Sequence, residues 1–130
     1  MNKSTILKTF NSHLLEFINE VINLMPEDLD LKTAKTFIEG LKKVNPRLVI
    51  TTWNSWVVAE YRREIEAGDF TFFENKDYSR DMVGSKQEQK ILQVIERIRD
   101  DVRDMGDNNK MKSLKYMQNL TKLSDIYFSQ

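Results

Sequence analysis

Apolar residues recur at steps of three and four through nearly the whole chain, and that period predicts helix after helix. The first run is Ile6, Leu7, Phe10, Leu14, Phe17, Ile18, Val21, Ile22 and Met25. It predicts a helix that begins at Ser4 or Thr5 and stops before Pro26. A short acidic turn follows, with Asp30 as the expected cap of a second helix over residues 31–44. Leu31, Ala34, Phe37, Ile38 and Leu41 form its buried stripe, and Lys32, Lys35, Lys42 and Lys43 lie outside. Gly40 sits in the middle of this helix, where glycine costs about 1 kcal/mol relative to alanine. That cost suggests the close approach of a neighbouring helix.

The third predicted helix starts from Asn45 as cap with Pro46 in its first turn, and ends before Gly68. Leu48, Val49, Trp53, Trp56, Val57, Tyr61 and Ile65 mark its buried side. Val49 to Thr52 is a β-branched run that reads alternatively as strand, but the Asn-Pro before it and the tryptophan spacing after it favour helix. Asp69 caps one short turn carrying Phe70 and Phe73, and a polar loop follows. Ser85 with Glu88 three residues later is a capping box for the next long helix. Its stripe is Ile91, Leu92, Ile95, Ile98, Val102 and Met105, ended by Gly106. Asp107 is expected to cap the last helix, where Leu114, Met117, Leu120, Leu123 and Tyr127 face inward. The pattern predicts one all-α domain over residues 1–130, a single bundle of five long helices plus one short helical turn. Trp53, Trp56, Phe37, Leu41, Ile95 and Leu120 are its expected core.

Composition narrows this further. Twenty basic residues balance twenty acidic ones, so no whole-chain field favours nucleic acid or an anionic membrane. The absence of cysteine removes disulfides, thiolate metal sites and cysteine nucleophiles. No apolar run approaches the roughly 18 residues of a membrane span. Neither a signal-peptide pattern nor a lipidation motif is present, so a soluble, non-secreted protein is expected.

Candidate chemistry is sparse. His13 is the single histidine and, among Asn11, Ser12 and Glu16, reads as a solvated first-helix residue rather than a catalytic base. Asp100 and Asp104 stand one turn apart and have the spacing to share a cation. Arg97, Arg99 and Arg103 interleave with them, however, so an ion-pair network is the expected arrangement and no metal site. No cofactor, small-molecule substrate or catalytic residue is expected, and the chain reads as a non-enzyme. The last helix carries an uneven charge: Lys112, Lys115, Asn119 and Lys122 share one face, which would suit phosphates if it is more than a solvated surface.

Aromatics crowd the stretch from Gly68 to Tyr78, where Phe70, Phe72, Phe73 and Tyr78 fall within eleven residues. A turn with Phe at 70, 72 and 73 cannot easily bury all three rings. Phe72 is therefore expected at the surface, forming a protein-binding site with Tyr78 and with Asn54 and Arg62 of the third helix.

Three blocks add a context: Leu31 to Leu48 (LKTAKTFIEGLKKVNPRL), Glu64 to Ser79 (EIEAGDFTFFENKDYS) and Met111 to Ser124 (MKSLKYMQNLTKLS). Their order and spacing resemble a group of small uncharacterised helical proteins encoded by nucleocytoplasmic large DNA viruses of algae and other protists. The likeness covers most of the chain from Phe10 to Tyr127 and carries over no functional residue. It implies a virus-encoded protein of the host cytoplasm or the virion. Together these readings give a helical interaction or structural protein that binds a partner or a second copy of itself, with nucleic-acid binding through the last helix as the alternative.

Overall fold

Asn2 opens the first helix: its Oδ1 accepts the Thr5 N–H at 2.8 Å, and α1 runs Lys3–Leu24. The computed structural model describes residues 2–74 and 84–130. α2 covers Leu29–Val44. α3 is one continuous rod in three segments, Arg47–Thr52, Trp53–Val58 and Ala59–Ala67, the middle one wound as a π-helix. α4 is the short Thr71–Glu74, α5 spans Lys86–Arg103 and α6 spans Asp107–Ser129. The result is an all-α bundle of five long helices and one short one, without strand among the described residues.

The core is built from the predicted stripes. Ile6, Phe10, Leu14, Phe17, Ile18 and Val21 of α1 meet Leu114, Met117 and Leu120 of α6, while Ile91, Leu92, Ile95 and Ile98 of α5 close the other side. Trp53 sits at the centre, edge-on to Phe10 with ring centroids 6.2 Å apart. Leu41, Ile95 and Leu120 are buried as expected. Phe37 and Trp56 are only partly buried and lie against the core margin.

The helix ends follow capping chemistry, with some shifts of residue. Ser85 and Glu88 form the expected capping box. Asp69 Oδ1 accepts the Thr71 N–H at 2.9 Å. Asp28, not Asp30, caps α2, because it is the Asp28 carboxylate that reaches the Leu31 N–H, at 3.0 Å. Asn45 ends α2 through its own N–H on Leu41 O rather than capping α3. Asp107 is the first residue inside α6, behind Gly106 at the cap position.

The π segment is invisible to a period of 3.6. A wider turn increases the angle between residues three apart, so the two tryptophans part company. Trp53 Nε1 donates to Thr121 Oγ1 of α6 at 3.3 Å. Trp56 Nε1 donates to Glu88 Oε2 of the α5 capping box at 3.1 Å. The Ser85 N–H, and then Trp56, hold the Glu88 carboxyl below its ordinary pKa.

Gly68 terminates α3 with φ of 67°. Its N–H reaches Ile65 O at 3.1 Å and Asp69 N–H reaches Glu64 O at 2.9 Å, the double bond of a left-handed C-terminal turn. A Cβ there would meet only Gln118 Nε2, at an ordinary 3.8 Å, so the restriction is in the backbone. Gly68→Ala is expected to lower stability by about 1–2 kcal/mol in urea denaturation. An unchanged midpoint would contradict this account.

Candidate interaction surface

Phe72 does not lie at the surface predicted for it. Phe72 is buried, and the reason is a charge on the neighbouring helix. Arg99 of α5 is itself fully buried, and its guanidinium lies 4.5 Å from the Phe72 ring centroid and 4.8 Å from that of Tyr61. Arg99 Nε donates to Phe72 O at 2.8 Å, and Arg103 Nε donates to Phe73 O at 2.6 Å. Phe72 also packs edge-on against Tyr61 and Phe73. A cation beneath the turn thus gives a third ring an interior place, which apolar periodicity does not reveal. Tyr78 lies outside the described residues.

Asn54 and Arg62 belong to the seam between α3 and α6. Ser124 Oγ donates to Asn54 Oδ1 at 3.3 Å. Arg62 grips both oxygens of Asp125, at 2.9 and 2.7 Å, and also reaches Glu66 at 2.9 Å. These bonds, to Asp125 first and then Glu66, raise the Arg62 pKa above its ordinary value. Of the residues expected to cooperate, the described three, Phe72, Asn54 and Arg62, therefore do not form one exposed patch, because Phe72 is buried.

The lysine face of α6 persists in part. Lys112, Lys115 and Lys122 are exposed and Asn119 is half-buried. Lys112 Nζ, however, lies 3.4 Å from Glu20 of α1, which offsets its charge. His13 is packed rather than solvated: its ring centroid lies 4.9 Å from that of Tyr116, and its Nδ1 lies 3.6 Å from Glu16. Tyr116 in turn stacks on Phe17 at 4.8 Å.

The acidic and basic residues of α5 divide differently from the expected local network. Arg103 pairs with Asp100 at 3.0 Å, but Arg97 reaches across to Asp28 of α2, its Nε 2.7 Å from Oδ2, and to Asp30 at 3.9 Å. Asp101 turns inward to Asp28. Burial, then a hydrogen bond to the Asp28 carboxylate and its charge, push the Asp101 carboxyl up to about 7. Burial opposes ionisation at Asp28 too, but bonds from Arg97, Asp101 and the Leu31 N–H outweigh it and hold Asp28 at about 2.

Beside these anchors runs a groove of about 440 Å³ between α2 and α5. Asp30, Thr33, Ala34 and Phe37 form one wall, and Lys90, Gln93, Val94 and Arg97 form the other. Lys90 Nζ stands 5.7 Å from the Phe37 ring centroid. With Arg97 beside Asp30 and Lys90 beside Phe37, the two helices run antiparallel.

The outer face of α2 next to this groove carries no charge along its crest. Leu29, Thr33, Thr36, Phe37, Gly40 and Val44 follow one another at helical spacing. Leu29 and Val44 are the two most exposed large apolar residues described, at 69% and 79%. Thr33 Oγ1 donates to Leu29 O at 3.1 Å and Thr36 Oγ1 to Lys32 O at 3.4 Å. Both hydroxyls are thus satisfied within the helix. Gly40, expected to admit a neighbouring helix, has nothing within 4 Å of where a Cβ would stand. Among the described residues, no helix uses that opening. Composition hid the stripe, because two threonines and a glycine read as polar or neutral; the exposure of Leu29 and Val44 is what reveals it.

These elements define an all-α helical bundle with one uncharged, partly apolar face. No protein-family model, no curated protein and no solved structure matches the chain. No helix is long and apolar enough to cross a membrane among the described residues.

Proposed function

We propose that this chain is a helical interaction or structural protein that works through a binding surface rather than a reaction centre, and that the surface is the α2 face with its groove. One observation carries the reading: Leu29 and Val44, the most exposed large apolar side chains among the described residues, lie at the two ends of a single uncharged helical stripe that borders a groove. A partner can cover such an uncharged face without taking a charge out of water, and its two exposed apolar ends gain by being covered. The resemblance of the three sequence blocks to proteins of large DNA viruses supports a setting in infected cytoplasm or in the virus particle.

The lysine face of α6 supports a second reading, nucleic-acid binding, because Lys115 and Lys122 are exposed without an ion pair among the described residues. A single comparison separates the two. Association of the pure protein, with itself or with a captured partner, is expected to be lost in Leu29→Glu with Val44→Glu. It should survive Lys112→Glu, Lys115→Glu and Lys122→Glu combined. Retention of DNA or RNA at low salt, abolished only by the lysine changes, would move the site to α6.

A further inference from the structure

The spacing of the α2 stripe is the same read in either direction. Leu29 and Val44 close its ends, Thr33 and Gly40 lie four residues inside them, and Thr36 and Phe37 form the middle. We propose that the occupant of this face is a second copy of the chain, docked with α2 antiparallel to α2 about a two-fold axis between Thr36 and Phe37. The proposal rests on the α2 face being the interaction surface and names its partner.

A two-fold axis placed there sets each Leu29 against the other copy's Val44 and each Thr33 against the other copy's Gly40. Apolar ends meet apolar ends, and the threonine methyl faces the one position without a side chain. This is the self-complementarity that an isologous interface requires. It also supplies the close helix approach that would account for a mid-helix glycine costing about 1 kcal/mol, an approach no helix among the described residues makes.

Charge supports the same register on the groove side, while the opposite edge carries Lys32 and Lys43 of both copies. On the groove side, Arg97 stands beside Asp30 and Lys90 beside Phe37, so one further turn of the antiparallel α5 places Lys86 beside Gly40 and Leu41. The two-fold axis brings that region next to the N-terminal turn of the other α2. Each Asp30, whose side chain is 83% exposed, then faces a Lys86 of the other copy. An acidic end meets a basic end twice over. The contact is centred on one helix per copy, smaller than the roughly 800 Å² per partner of tight complexes, so the dimer exchanges with monomer in the micromolar range.

The test is sedimentation velocity and light scattering over a wide concentration range. The wild-type chain should move from one chain mass toward two. Gly40→Gln should be monomeric yet more stable to urea, because glutamine is the better helix former and the site is open within the chain, so loss of the dimer is not loss of the fold. Lys86→Asp should weaken the dimer at least tenfold, and adding Asp30→Lys should restore it. Since the chain has no cysteine, Thr36→Cys should give a covalent dimer with a short bis-maleimide, whereas Lys115→Cys on α6 should not. A wild-type chain that stays monomeric at every concentration overturns the proposal, as does a Gly40→Gln chain that dimerises like wild type. If the chain is monomeric but captures another protein in a Leu29- and Val44-dependent way, the occupant is wrong and the surface reading stands. If those residues affect no association at all, both fail.

Discussion

Arg99→Ala is expected to destabilise the fold by about 3–5 kcal/mol, the cost of breaking a buried ion pair from one side. Arg99 is fully buried, with Nη1 2.6 Å from Glu96 Oε1 and Nε 2.8 Å from Phe72 O. Removing it takes the guanidinium from a carboxylate, leaves a buried carbonyl without its donor and opens a gap between Tyr61 and Phe72. Arg99→Lys should recover less than half of the loss, because a point charge on a flexible stem cannot reproduce the planar fork and the ring contacts together. Arg103→Ala should cost less, about 1–2 kcal/mol, since that side chain is partly solvated and its bond to Phe73 O is the main loss. Urea denaturation followed by tryptophan fluorescence gives all three values. A loss under about 1 kcal/mol for Arg99→Ala would show that the cation is not what keeps Phe72 inside.

Stability is expected to fall by about 2–4 kcal/mol as pH rises from about 4 to about 8, and Asp101 is the cause. Its folded-state pKa, raised from 3.8 to about 7 by burial and by Asp28, means that the folded protein holds a proton the unfolded chain has released. The stabilisation is complete below the unfolded value and disappears as pH rises through about 7. Asp28 acts in the opposite sense. Held at about 2, it contributes stability above 3.8 that is lost as pH falls through about 2. The groups facing the pair are Arg97, which favours both charges, and Asp30 and Asp100, which add negative charge nearby. Maximum stability should therefore lie at mildly acidic pH. Asp101→Asn keeps a donor toward Asp28 but cannot titrate, so it should match wild type only at or below the unfolded value of 3.8 and exceed it increasingly up to pH 8. Parallel pH profiles for the two proteins would sink the assignment. The pair ties the start of α2 to α5, so this slope also reports on the end of the groove where Arg97 and Asp30 stand.

The sequence by itself determined the helices and most of their inward faces. Apolar spacing is a local property, and the caps at Ser85, Asp69 and Gly68 depend on residues within three or four positions. That is why five long helices, the short turn and most of the core were legible from it. What lay beyond it were the contacts made between distant residues. The shift of the α2 cap to Asp28 accompanies its bond to Arg97, and the parting of Trp53 from Trp56 needed a π turn with partners on two other helices. The sequence points Phe72 to the surface because its burial depends on a cation from α5, and a charged residue on a helix reads as surface until its partners are known. The α2 face was legible only in part. Gly40 signals a close neighbour from the sequence, but in the tertiary structure no helix among the described residues fills that place, leaving Leu29 and Val44 open to water. Periodicity states which residues want to be covered, and only the packed arrangement states which of them the chain covers itself.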